Sequence, residues 1–183
     1  MNKQQLTKNS WISAGLKVLA RDGVDAVRVE RLARNLKVTK GSFYWHFKDR
    51  KALLHALLNA WVARATRDVI DEVERRGGNG QAKIRTLFDI VFSASGRLDL
   101  EIRTWGLKDK TVAKALMTVD QTRLKYIEGL FAELGLKPIE ATARSRFAYH
   151  ALIGQFSLGK NNAQIHLSDE QFELIFKMLI QKA

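Results

Sequence analysis

The stretch Val38-Thr39-Lys40-Gly41-Ser42-Phe43-Tyr44-Trp45-His46-Phe47-Lys48-Asp49-Arg50-Lys51 decides how this 183-residue chain is read. Phe43 and Phe47 recur at helical spacing, so a short helix over about 40–47 has one apolar face. Thr39 stands where its N-cap belongs, and Asp49 caps the helix that follows. The other face carries Lys40, Ser42, Tyr44 and His46, with Gly41 leaving part of it bare. Such donors suit the phosphates and base edges of a major groove, and equally an ordinary solvated face. Lys40, Arg50 and Lys51 favour the first reading. A cation in the first turn of a helix opposes the macrodipole, at ~0.3–1 kcal/mol each. A phosphate bound at those N-termini would reverse the sign. Trp45 lies beside this face, and packing beneath the helix is the preferred reading for it.

Upstream, Val29, Leu32, Ala33 and Leu36 share one face of a second helix over about 29–36. Lys37-Val38-Thr39 joins it to the third as a tight turn, with Val38 as its plug. A first helix from about Thr7 to Ala20 supplies a third wall through Ile12, Leu16 and Leu19, and Asp22-Gly23 stops it. Isolated short helices are marginal, so the three must pack as one unit. The pattern is a helix-turn-helix.

Downstream, a long fourth helix is predicted over about 50–76, ended by Gly77-Gly78-Asn79-Gly80. Further helices are expected near 81–96, 99–106, 111–134, 139–159 and 169–182. No repeat and no strand pattern emerges. The fold class is all-α: a helix-turn-helix head over 1–48 and a helical body over 49–183.

Charge singles out the head. Residues 1–55 hold 12 Lys/Arg and 4 Asp/Glu, against 19 and 15 in the rest of the chain. Such asymmetry suits a polyanion, with nucleic acid ahead of membrane. Cysteine is absent, which excludes disulfides, thiolate zinc sites and cysteine nucleophiles. No signal peptide and no apolar run of membrane-spanning length is seen, so a cytoplasmic home with no membrane partner is expected. His46, His55, His150 and His166 lack metal spacing, and no phosphate loop or nucleophile motif is present. Neither an enzyme nor a cofactor is expected.

The run from Val38 to Leu54, with Ala14-Gly15-Leu16 to Gly23 and Val29 to Leu36 in matching spacing, resembles the TetR family of bacterial repressors over about residues 10–57. The resemblance implies that Thr39, Lys40, Gly41 and Ser42 open the recognition helix and touch bases or phosphate. It implies backbone contacts for Tyr44 and His46, and a phosphate held by Lys48. Two positions depart from the family. Arg28 replaces the usual Thr or Ser cap of the second helix, and could gain a phosphate contact. Lys37 replaces a frequent Gly, where a left-handed conformation would cost about 1 kcal/mol. The resemblance also implies an effector whose binding tilts the fourth helix.

In the body, Ala151, Gly154, Leu158, Phe172, Ile175, Phe176 and Leu179 lie on helices that are apolar on two faces. Two apolar faces need two partners, so these residues are expected at a homodimer interface. A larger monomer core is the alternative. Trp61, Phe88, Phe92, Trp105, Met117, Tyr126, Phe147 and His150 are candidates for a cavity that takes an unidentified small-molecule effector, though each could be plain core. Arg103, Asp120 and Arg123 could form an ionic group near it, with surface pairing the plainer reading. The function expected is a dimeric repressor on a palindromic double-stranded DNA operator. The alternatives are a non-specific DNA binder, and a helical small-molecule-binding protein or enzyme with a vestigial head.

Overall fold

The computed structural model describes Leu6–Leu158 and Leu167–Gln181, with the side chain of Ala65 excepted. His166 and most of the expected break at 159–168 lie outside the described residues. Within them every regular element is helical. The helices are α1 (Lys8–Asp22), α2 (Val29–Asn35), α3 (Lys40–Tyr44), α4 (Arg50–Val62), α5 (Val69–Arg76), α6 (Gly80–Ser93), α7 (Arg97–Gly106), α8 (Lys110–Glu133), α9 (Pro138–Leu158) and α10 (Asp169–Ile180). A 3₁₀ turn, Val24–Ala26, precedes α2. The helix expected over 50–76 carries a π-type stretch, Ala63–Asp68, between α4 and α5.

Two compact units result. One joins the chain up to Ala63 to Arg97–Leu116; the other joins Arg64–Gly96 to the chain from Met117 onward. This partition follows packing, and it differs from the division expected at 48/49. The first unit therefore gains α4 and α7 beyond the three-helix head.

The core of the first unit is built on α1. A Thr7 capping box starts that helix: the Thr7 side chain accepts from Ser10 N–H, and Thr7 N–H donates to Ser10 Oγ. Its buried face is Trp11, Gly15, Leu16, Val18 and Leu19. Ile12 and Ala20 are only half-buried. Leu16 and Leu19 are thus buried as expected, and Trp11 takes the place expected of Ile12, because tertiary neighbours choose between adjacent helical positions. The packing fixes that choice. Trp11 meets Phe43 edge-on, with ring centroids 5.3 Å apart. At Gly15 a Cβ would lie 2.8 Å from Leu57 Cδ2, so α1 and α4 approach at a point where only glycine fits.

The second unit is centred on Val73, Ile84, Phe88, Leu130, Phe131, Ala148 and Phe176. Asn79 caps α6 by accepting from Ala82 N–H at 3.0 Å. Ser168 and Gln171 form a capping box on α10. Tyr149 donates to Asp120 at 2.6 Å and accepts from Arg123 at 3.2 Å. Burial, with the Asp120 carboxylate adding to it against the opposing Arg123 cation, pushes the Tyr149 phenol up to about 12. Of the three candidate ionic residues, Asp120 and Arg123 thus meet through Tyr149. Arg103 belongs to the first unit, where it pairs with the buried Asp99 at 2.9 Å.

Candidate nucleic-acid interface

The turn between α2 and α3 is closed by backbone bonds alone. Val38 N–H donates to Ala33 C=O at 2.9 Å and Lys37 N–H to Arg34 C=O at 3.1 Å. That pair of bonds is a Schellman motif, which needs a left-handed residue after the helix. Lys37 supplies it with φ 56°, the one non-glycine positive φ among the described residues. The turn ends α2, and Lys40 and Gly41 in the first turn of α3 are exposed.

Packing then sorts the α3 side chains. Phe43 is fully buried and Phe47 nearly so, with their rings stacked 5.4 Å apart. Thr39, Lys40, Gly41, Tyr44 and Lys48 are exposed, as is Arg28 at the N-cap position of α2; Ser42 and His46 are half-buried. The eight candidate DNA-binding residues therefore lie on α3, its flanks and the start of α2, and none is occluded.

Four details differ from expectation. Trp45 is 88% exposed rather than packed beneath the helix. Its place two residues past Phe43 turns it outward, and the Phe43–Phe47 period alone carried that signal. Arg50 is occupied structurally: its guanidinium donates to Val27 C=O at 2.6 Å and Val24 C=O at 2.7 Å. A cation in the first turn of α4 is thus explained by carbonyls of the segment between α1 and α2, without a phosphate. Lys40 is paired with the Glu30 carboxylate. That contact raises the Lys40 ammonium above its ordinary range and holds the Glu30 carboxyl below its own. Thr39 sits in N-cap backbone geometry but its side chain makes no cap bond, and neither does that of Arg28. Arg28 instead donates to Asp25 C=O at 3.2 Å.

The compact first unit also concentrates charge. Residues 1–63 with 97–116 hold 17 Lys/Arg and 7 Asp/Glu, a net +10 of the chain's +12. Such a balance gives the unit carrying α3 the electrostatic character of a polyanion binder.

The candidate effector residues do not gather in one place. Phe88, Phe92 and Phe147 line a half-open cavity of about 300 Å³ in the second unit. Trp61 and Trp105 are buried in the first unit. Met117 is 55% exposed, and His150 is exposed on α9. Tyr126 donates to Glu74 at 2.8 Å. All seven residues expected at a dimer face line that same cavity. Phe147, Leu158, Leu174 and Met178 leave much of their apolar surface uncovered on α9 and α10. Among the described residues no group of three or more acidic or histidine side chains could hold a metal. No helix there is long and apolar enough to cross a membrane.

Comparison with known proteins places these features in context. Residues 12–57 match the family described as bacterial regulatory proteins, tetR family. The tetracycline repressor protein class G of Vibrio anguillarum is 41% identical over 71 residues, 38% of this chain and 34% of that protein. The chain thus spans about a third of the length of that curated relative. A TetR transcriptional regulator from Legionella pneumophila superposes with a TM-score of 0.75 at 14% identity, covering 98% of this chain and 97% of the other. BioQ, crystallised with its natural double-stranded DNA operator, superposes with a TM-score of 0.51 at 21% identity, covering 96% of each chain.

Proposed function

We propose, from the premise that this chain belongs through residues 12–57 to the tetR family of bacterial regulatory proteins, that it is a homodimeric DNA-binding transcriptional repressor. The carrying observation is the outward face of α3. Thr39, Lys40, Gly41, Tyr44, Trp45 and Lys48 are exposed on or beside a helix anchored by Phe43 and Phe47. A short helix whose polar side is exposed can enter a major groove, with phosphate contacts setting position and base contacts setting sequence. Two copies related by a two-fold axis would read a palindromic operator, with half-sites one helical turn or multiples apart. The uncovered apolar residues of α9 and α10 support that second copy.

A ligand response is the remaining part of this reading. The curated relative is a tetracycline repressor, which supports a small-molecule effector for this chain as well. A ligand acts only through different affinities for the two states of the repressor.

Selection of bound sequences from random duplexes tests the assignment. A palindromic consensus should emerge. Lys48→Ala should then weaken binding to that consensus by about tenfold, in line with a lost charged contact of ~1.5–3 kcal/mol, while the dimer and the urea midpoint stay unchanged. Equal affinity for random duplexes, set only by salt, would replace specific regulation with non-specific DNA binding.

A further inference from the structure

Glu30 on α2 and Lys40 on α3 form an ion pair, with more than half of each side chain exposed. Among the described residues it is the ion pair that ties α2 to α3. Two exposed neighbours act on it electrostatically. The Arg28 guanidinium favours the Glu30 carboxylate, and the Tyr44 phenol favours the Lys40 ammonium. Gly41, next to Lys40, keeps the space beside the pair open: a Cβ there would meet only Thr39 Oγ1, at 3.7 Å.

Other carboxylates of this unit serve the fold. Asp22 holds Arg21 and Arg31, and Asp99 holds Arg103. Asp49 accepts from Ala52 N–H at the start of α4, and Asp109 from Thr111 and Val112 N–H at the start of α8. Glu30 differs, because its partner is a residue expected to touch DNA. An exposed ion pair contributes little to stability. A carboxylate on a DNA-facing surface is also repelled by the phosphates. Its place there calls for a contact that only an acceptor can make.

The major groove offers one. An ionised carboxylate accepts and cannot donate; an ammonium donates and cannot accept. Guanine shows two acceptors in the groove, N7 and O6, and cytosine shows the N4 amino donor. O6 and N4 of one base pair stand side by side at hydrogen-bond distance, about 2.9 Å. A carboxylate held against an ammonium has similar spacing and the opposite polarity. An A·T pair also sets a donor, adenine N6, beside an acceptor, thymine O4. There adenine N7 turns an acceptor toward the carboxylate, and the thymine methyl crowds the ammonium. At G·C, N7 gives the ammonium a second acceptor and cytosine opposes the carboxylate with none. The charge pair therefore prefers G·C, with guanine beside Lys40.

We infer that Glu30 and Lys40 act as one unit that reads a G·C base pair, the Glu30 carboxylate accepting from cytosine N4 and the Lys40 ammonium donating to guanine O6 and N7. Glu30 is thereby a specificity-determining residue outside the recognition helix. This rests on the DNA-binding function proposed above and adds which base pair is read, and by which residues.

Selection of bound sequences from random duplexes, run on the intact wild type, Glu30→Gln and Lys40→Ala, tests the assignment. The wild type should require G·C at one position of each half-site. Glu30→Gln should lower that preference about tenfold and shift the position toward A·T, because glutamine pairs with adenine N6 and N7, with the other positions kept. Lys40→Ala should relax the same position. Urea midpoints of both variants should match the wild type, and base preference is a readout that a change in stability alone does not move. An unchanged consensus for Glu30→Gln overturns the proposal, as does relaxation of two different positions by the two variants. So does a uniform gain in affinity for all duplexes with the consensus unaltered, which would make Glu30 a brake on phosphate binding. Those three results leave sequence-specific binding by the head intact. The absence of any wild-type consensus would remove that function and this inference together.

Discussion

Gly15 in α1 and Gly154 in α9 are both helical glycines, and their surroundings are opposite. A Cβ on Gly15 would press into Leu57; a Cβ on Gly154 would meet nothing within 4 Å. The same contrast holds for their helices. The apolar residues of α1 are buried against Phe43, Phe47 and Leu57, so that helix is finished by its own unit. On α9 and α10, Phe147, Leu158, Leu174 and Met178 stay uncovered. Apolar surface is covered within the chain on α1 and left open on α9 and α10, the face proposed for a second copy.

Substitutions can break that contrast, starting where the effect is largest. Phe147→Arg places a charge in the face assigned to a second copy. Dimer dissociation should rise by 30-fold or more, the scale of a lost hot spot of ~2 kcal/mol or above, as read by analytical ultracentrifugation. An unchanged dimer would move the interface elsewhere. Next, Gly15→Val should cost ~1–3 kcal/mol of stability through overpacking, whereas Gly154→Val should stay within ~0.5 kcal/mol. Equal urea midpoints for the two variants would erase the distinction. A smaller gain is expected at the α2–α3 turn. Lys37→Gly removes the left-handed penalty and should raise stability by about 1 kcal/mol without loss of operator affinity.

The smallest effect sharpens the picture of the second unit. The Tyr149 phenol ionises near 10 in an unfolded chain and at about 12 in the folded one. A raised folded value means its contribution is full below pH 10 and is lost as pH climbs through 12. Chemical denaturation across that window should show a falling limb for the wild type and a flatter one for Tyr149→Phe. Identical limbs would remove the burial argument for this tyrosine.

The two regions also differ in how much of them could be read beforehand. The α2–α3 turn was legible because a Schellman turn is local: Lys37 occupies a position whose backbone is dictated by its neighbours. The outward face of α3 was legible for the same reason, from Phe43 and Phe47. Arg50 was misread because its partners, Val24 and Val27, are more than 20 residues away and are backbone carbonyls, which leave no trace in side-chain pattern. On α1 the burial of Leu16 and Leu19 was legible, whereas Trp11 in place of Ile12 was not, because adjacent positions both satisfy helical spacing. In the second unit, periodicity told which face of α9 or α10 is apolar but not what covers it. Residues expected in a pocket and residues expected at an interface consequently met in one cavity.

The brevity of α3 has an evolutionary consequence. Five residues are too few to sustain a helix unaided, so its shape is imposed by two phenylalanines and by the turn before it. The outward positions owe almost nothing to folding, and substitutions there are nearly free of structural penalty. If the head reads DNA as proposed, a lineage carrying it can retarget to new promoters by drift at a handful of codons, while the architecture beneath stays untouched.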